Sequence, residues 1–248
     1  MGLPKGSAAA LSRSLRTYYG HPERNAAMDA LYGRFLKEGD LAFDIGAHVG
    51  DRISSFRRLG ARVVALEPQP GPARVLRLIH GRDPGVTLLA AAAGDQEGSV
   101  TFHVNSANPT VSTVSSAFVE AADGAGGWEG QVWDETIAVP CTTLDRLIAQ
   151  HGLPAFIKID VEGFEHRVLA GLTKPVVALS FEFTTIAREV AQACLDRLAA
   201  LGPYLFDVAL GESQTFTFGA PVDHAAMAAH LNALPHDANS GDVYAILP

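Results

Sequence analysis

The chain has 248 residues, with 27 acidic side chains against 19 Lys and Arg, for a formal charge of −8. So acidic a chain, without long Lys/Arg clusters, is a poor general binder of nucleic acid, whose phosphates demand neutralisation. Nearly half of its residues are hydrophobic, which excludes collagenous and wholly disordered classes, and two cysteines are too few for a disulfide framework.

The start, Met1–Gly20, lacks the apolar stretch of a signal peptide, and Gly6 stands where a myristoylation site wants Ser or Thr. No run approaches the ~18 apolar residues of a membrane span, so the cytoplasm is the expected location. Apolar spacing predicts helices over Ala8–Tyr19 and Asn25–Lys37, the latter stopped by Gly39. A different rhythm follows. Leu41–Ile45, Arg62–Leu66 and Val86–Ala91 read as short buried strands, with helices at Asp51–Leu59 and Ala73–His80 between them. Strands alternating with helices of this length describe βαβ units and a parallel sheet covered on both faces.

After residue 94 the rhythm breaks. Ser99–Val104 alternates like an exposed strand, and the stretch 105–135 is rich in Ser, Gly, Asn and Asp, with Val111–Val119 its most ordered part. A loop of that length inside a domain is usually functional or disordered, and a flexible insertion over one end of the sheet is expected. The pattern resumes with a strand at Thr136–Val139, a capped helix from Thr143, strands at Ala155–Ile159 and Val176–Phe183, and helices at Phe164–Ala170 and Ile186–Leu201. Strands at Tyr204–Leu210 and Val243–Leu247 flank a last helix near Val222–Leu234. The whole reads as one domain over 1–248, with N-terminal helices in 1–39 and a Rossmann-like core in 40–248. Cys141 and Cys194 lack a second ligand at metal spacing and read as buried thiols. His21, His80, His103, His224 and His236 lie in polar contexts and are expected at the surface.

Three segments carry chemistry. Asp44-Ile45-Gly46-Ala47-His48-Val49-Gly50 follows a strand and opens a helix, where an open α/β sheet binds nucleotide-like ligands. A dinucleotide fingerprint would need glycines at 46, 48 and 51, and His48 and Asp51 stand at two of these. Asp44, two residues before Gly46, suits a ligand that carries an ammonium group. Glu67 ends the next strand 21 residues after Gly46, where a carboxylate accepts hydrogen bonds from two ribose hydroxyls, and Pro68 fixes the turn behind it. Finally, Asp160 to His166 packs three carboxylates and one imidazole into seven residues behind a buried strand. Acids in a helix's first turn are also ordinary partners of its dipole, which suits Glu162 and Glu165.

These segments, with Ala92-Ala93-Gly94-Asp95, Thr143-Leu144-Asp145 and Ile157-Lys158-Ile159-Asp160-Val161-Glu162-Gly163, occur in an order that resembles the FkbM-family methyltransferases over roughly residues 40 to 185. The resemblance implies a class I S-adenosylmethionine-dependent fold: an α/β, mostly parallel seven-stranded sheet with helices on both faces and one antiparallel strand. It implies O-methylation of a small-molecule or glycan hydroxyl, on a sugar or secondary-metabolite-type acceptor. It also implies Asp44, Gly46, Ala47, His48 and Gly50 around the methionine part of S-adenosylmethionine, Glu67 and Pro68 at the ribose, and Ala92 and Ala93 against the adenine. His48 and Asp51 depart from the residues often found in this turn.

Methyl transfer to a hydroxyl needs a base. Asp160 is the first candidate, Glu162 and His166 the second, and Glu182 a neighbour if its strand pairs with that of Asp160. Asp160 and Glu182 together offer a divalent cation a place from which to lower the hydroxyl's pKa, although no segment has tight metal-ligand spacing. Two other readings stay open: a cofactor-binding protein without turnover, and a nucleotide-dependent oxidoreductase or epimerase. The missing glycines and the lack of a Tyr-x-x-x-Lys pair count against the second of these.

Overall fold

The structure, a computed structural model, describes residues 7–248, so the myristoylation reading at Gly2 and Gly6 lies outside the described residues. Helices α1 (Ser7–Tyr19) and α2 (Pro22–Tyr32) precede β1 (Leu41–Ile45), α3 (Asp51–Arg58), β2 (Arg62–Leu66), α4 (Pro70–His80) and β3 (Val86–Leu89). Then come β4 (Ala92–Ala93), β5 (Gly98–Val104), α5 (Ser116–Ala122), β6 (Glu135–Thr142), α6 (Leu144–His151), β7 (Phe156–Ile159) and α7 (Glu165–Ala170). The chain closes with β8 (Ala178–Thr184), α8 (Arg188–Leu201), β9 (Leu205–Leu210), α9 (His224–Ala233) and β10 (Ser240–Ile246).

Seven strands form one sheet in the order β3-β2-β1-β7-β8-β10-β9, and β10 alone runs antiparallel to its neighbours. This is the class I architecture that the resemblance implied. The strands read as near-continuous apolar runs because both faces are covered. Side chains alternate across β1: Leu41, Phe43 and Ile45 join the core under α7 and α8, while Ala42 joins the core with Met28, Tyr32, Ile53 and Phe56. Asp44 follows Ala42 on that second face. On β7 the same alternation puts Phe156 and Lys158 there, and in register Asp44 pairs with Lys158, while Asp242 pairs with Glu182. The polar groups thus gather at one end of otherwise apolar strands. β1 has β2 on one side and β7 on the other, so the crevice opens at the point where the strand order reverses.

Two expectations need correction. The stretch 105–135 is not an irregular insertion: it contains a 3₁₀ turn at Pro109–Val111, helix α5 capped by Ser115, and its own core of Val111, Phe118, Ala122 and Trp128. Phe118 meets Trp128 edge-on at 5.2 Å, and Trp133 Nε1 donates to the Val111 carbonyl at 2.9 Å. Phe118 and Ala122 stand four apart on one face of α5, a short signal masked by the surrounding Ser, Gly, Asn and Asp, and Trp128 joins them only once the chain folds back. His80 is buried rather than exposed, with Nε2 3.2 Å from the Gly50 carbonyl oxygen. The small sheet β4-β6-β5 joins the segment through a bridge between His103 and Thr113, and Cys141 and Cys194 are buried free thiols as expected. No helix among the described residues is long and apolar enough to cross a membrane.

Candidate active site

An open cleft, about 830 Å³ with the solvent at its mouth included, lies at the carboxyl ends of β1, β2 and β7. The glycine turn after β1 forms its floor. Gly46 has φ +88°, and a Cβ there would lie 1.8 Å from the Asp160 carbonyl oxygen. Only glycine lets the two strand ends approach so closely, with Asp160 N donating to the Ile45 carbonyl at 2.9 Å. Ala47 and His48 line the cleft. His48 adopts φ +47°, which turns its N–H towards Glu67 Oε2 at 2.8 Å, and burial pushes its imidazole below the usual range. Gly50 does not line the cleft: a Cβ there would meet Leu76 at 2.6 Å and His80 at 2.9 Å. Its glycine serves the packing of α4, a correction to its expected place beside the cofactor.

Asp44 is 1% exposed, and its Oδ2 has no hydrogen-bond partner. Burial, then the charge of Asp51, pushes its carboxyl up to about 7. An acid in this condition is a ready acceptor for a cationic ligand group. Glu67 is 3% exposed; Oε2 accepts from His48 N and Oε1 from Gln69 N at 2.7 Å. Those two N–H groups fix the carboxylate and leave lone pairs for two hydroxyls, while burial raises it to about 8. Pro68, Ala92 and Ala93 add apolar lining to the same cleft.

At the other end stand Asp160 and Glu162. The Asp160 side chain is 32% exposed, and Lys158 Nζ lies 3.0 Å from its Oδ2 and 2.7 Å from Asp242 Oδ1. Burial acts to raise Asp160, but Lys158 and Arg52 outweigh it and hold the carboxyl below its ordinary value. Glu162 sits at φ +56°, with its carbonyl accepting from Thr113 Oγ1 at 2.6 Å, so the 105–135 segment fixes the turn. Burial, then the Asp160 charge, raises its carboxyl. Glu182 approaches from behind: one oxygen from each of Asp160, Glu162 and Glu182 lies within 4.8 Å of the other two. Glu165 turns away and accepts from Val161 N at 2.9 Å, a structural task. His166 is not part of the cleft lining; its charged neighbours are Arg167, Asp95 and Glu189. Its position on α7 faces it elsewhere, so the four catalytic candidates reduce to three that meet.

Several lining residues carried no signal in the sequence. Tyr18 comes from α1 and meets the His48 ring edge-on at 5.7 Å. Asp51, Arg52 and Glu212 close the same side, with Arg24 bridging Asp51 at 2.8 Å and Glu212 at 2.7 Å. Thr110 and Ser112 come from the 105–135 segment, and Phe164 from the turn before α7. Asp51-Arg52, opening a helix beside the glycine turn, was open to suspicion from sequence, and the 105–135 stretch that holds Thr110 and Ser112 was so as a whole rather than by residue.

Residues 44–233 match the model of the methyltransferase FkbM domain family. The 31-O-demethyl-FK506 methyltransferase FkbM of Streptomyces tacrolimicus is 31% identical over 169 residues, 57% of this chain and 62% of that protein, so the match spans less than two thirds of the relative. Two solved structures are similar in fold. The precorrin-6y C5,15-methyltransferase from Geobacter metallireducens GS-15 has a TM-score of 0.47 at 12% identity, over 90% of this chain and 88% of that one. The O-methyltransferase from Bacillus cereus in complex with SAH has a TM-score of 0.48 at 11% identity, over 97% and 91%.

Proposed function

Because this chain belongs to the FkbM methyltransferase family, we propose that it transfers a methyl group from S-adenosylmethionine to a hydroxyl of a sugar or secondary-metabolite-type small molecule. The observation that carries the choice of donor is the pairing of Asp44 with Glu67 across one cleft. The unpartnered Asp44 Oδ2 suits the donor's ammonium, and the Glu67 carboxylate, fixed by two N–H groups, suits its ribose diol. Ala92 and Ala93 offer small apolar side chains against which an adenine can lie. S-adenosylmethionine, when bound, supplies an electrophilic methyl on a sulfonium centre.

The protein's own work is then to align the acceptor oxygen, exclude water and take a proton. Positioning alone is worth ~7–11 kcal/mol in favourable cases. Phe164 also lines the cleft, Phe102 and Val114 pack beside Ala92, and Thr110 and Ser112 bring hydroxyls to its wall. Asp160 is the base in this reading. Lys158 keeps it ionised, and its low pKa is no handicap, because a hydroxyl oxygen becomes strongly acidic as it gains the methyl. Asp160→Asn should therefore lower kcat by ~10²–10⁴-fold while leaving donor affinity nearly unchanged, as steady-state rates and donor titrations would reveal.

Isothermal titration with S-adenosylmethionine, beside NADH and a Glu67→Ala control, tests the reading. Micromolar binding of S-adenosylmethionine alone, weakened at least tenfold in the control, is expected. To receive an ammonium group Asp44 must ionise, so affinity should rise as pH increases through about 7, with proton release on binding. Binding of NADH in its place would overturn the proposal. Donor binding with no methyl transfer to any hydroxyl acceptor would favour the cofactor-binding protein without turnover.

A further inference from the structure

We propose that Asp160, Glu162 and Glu182 together form a site for one divalent, oxygen-liganded cation of the magnesium or manganese type, at the acceptor end of the cleft. Three points with no separation above 4.8 Å share a centre within about 2.8 Å of each. Movements of under ~1 Å bring all three oxygens to the ~2.0–2.6 Å bonds that hard cations make to carboxylates. Waters or an acceptor hydroxyl would fill the remaining positions, on the side open to the cleft.

Proximity of acids alone does not make such a site; the state of their oxygens does. Glu162 is 6% exposed and lines the cleft, and among the described residues no N–H or O–H donates to its carboxylate. Only its main-chain oxygen is engaged, by Thr113. Glu182 Oε2 is likewise buried with no hydrogen-bond partner. Folded proteins seldom leave buried acids unpaired; Glu162 has no donor, and Glu182 has only the Asp160 carboxyl within hydrogen-bonding reach, so the point they share calls for a ligand that supplies charge.

The local cation is already spent. Lys158 lies between Asp160 and Asp242, and Asp242 is the register partner of Glu182, so one ammonium faces four carboxyls. A divalent ion leaves a single negative charge among them, whereas a second ammonium would leave two. Hence the charge balance favours a metal over an amine group of a ligand. The methyl-transfer reading gives the ion a use: a hydroxyl on it would lose its proton more readily, as water does on bound metals. That use rests on the proposed function, whereas binding of the ion does not.

The test therefore uses the full chain, stripped of metal, without donor or acceptor. MnCl₂ titrated against it should bind once per chain, read by the loss of free Mn²⁺ resonance. At a hundredfold excess over Kd the melting midpoint should rise by about 5–10 °C. Glu162→Gln and Glu182→Gln should each weaken binding at least tenfold and remove most of that rise. In metal-free buffer both variants should melt no lower than the parent, because each removes one of several crowded like charges. That result separates a lost ligand from a damaged fold. Three results would overturn the proposal: no one-to-one binding up to about 10 mM, ten times the weakest protein calcium sites; Mn²⁺ binding unchanged in both variants; or an equal stabilisation by methylammonium chloride. Failure of S-adenosylmethionine to bind would leave these readings untouched, so the two proposals fail separately.

Discussion

Gly46→Ala should cost more than ~4 kcal/mol of stability, enough to leave little folded protein, which places it in the far tail of single substitutions. Two terms contribute. The left-handed backbone at φ +88° costs an alanine ~1–2 kcal/mol. The second term is larger, because the added Cβ would lie 1.8 Å from the Asp160 carbonyl oxygen. That atom is main chain, so no rotamer change relieves the overlap. The ends of β1 and β7 must part, which breaks the Asp160 N–H to Ile45 bond and moves Asp160 itself. Gly50→Ala is the informative comparison. Its φ is nearly the same, but its Cβ would meet the side chains of Leu76 and His80, which can shift. A loss of roughly 2 kcal/mol is expected there. Urea denaturation of the three proteins decides the matter, and a Gly46→Ala midpoint close to that of the parent would refute the close-approach argument.

How much of this was legible beforehand depends on whether a feature is local. The strands at Leu41–Ile45 and Arg62–Leu66 were readable because burial on both faces leaves unbroken apolar runs between turn residues. Asp44, Glu67 and Asp160 were readable for a related reason: each is a charged residue at or just past the end of such a run. The fold's antiparallel strand β10 was implied by the family resemblance and is found at Ser240–Ile246. What stayed hidden depends on distant partners. His80 reads as a surface histidine until Gly50 offers it a carbonyl oxygen and a missing side chain. Phe118 and Trp128 look like stray aromatics in a polar stretch until they pack on each other and Phe118 covers Gly163, where a Cβ would meet it at 2.6 Å. Tyr18 and Glu212 stand 194 residues apart in the chain and meet only in the cleft. His166 misled in the opposite sense, since four-residue spacing from Glu162 implies a shared face only if the helix already runs between them. It starts at Glu165, after a left-handed turn through Glu162 and Gly163.

Lys158→Met, measured in metal-free buffer, should destabilise the protein by ~3–5 kcal/mol, the usual cost of removing one partner from a buried ion pair. Methionine nearly keeps the volume, so cavity formation contributes little. Lys158 is 1% exposed and serves Asp160 and Asp242 at once, so its loss strands two carboxyls in a region that already holds Glu162 and Glu182. The loss should depend on pH in a definite direction. In the parent, Lys158 holds Asp160 below its ordinary value, so that contribution is present at neutral pH and fades only as pH falls through the folded-state value. Without the lysine, burial pushes both Asp160 and Asp242 up. The folded variant then keeps protons that the unfolded chain has released above pH ~4, so its stability declines as pH rises. The gap between variant and parent should accordingly be smaller at pH 5 than at pH 8. Denaturation curves at the two pH values measure it directly. A gap that is equal at both, or wider at pH 5, would mean that Lys158 contributes packing rather than charge, and that Asp160 owes its ionised state to something else.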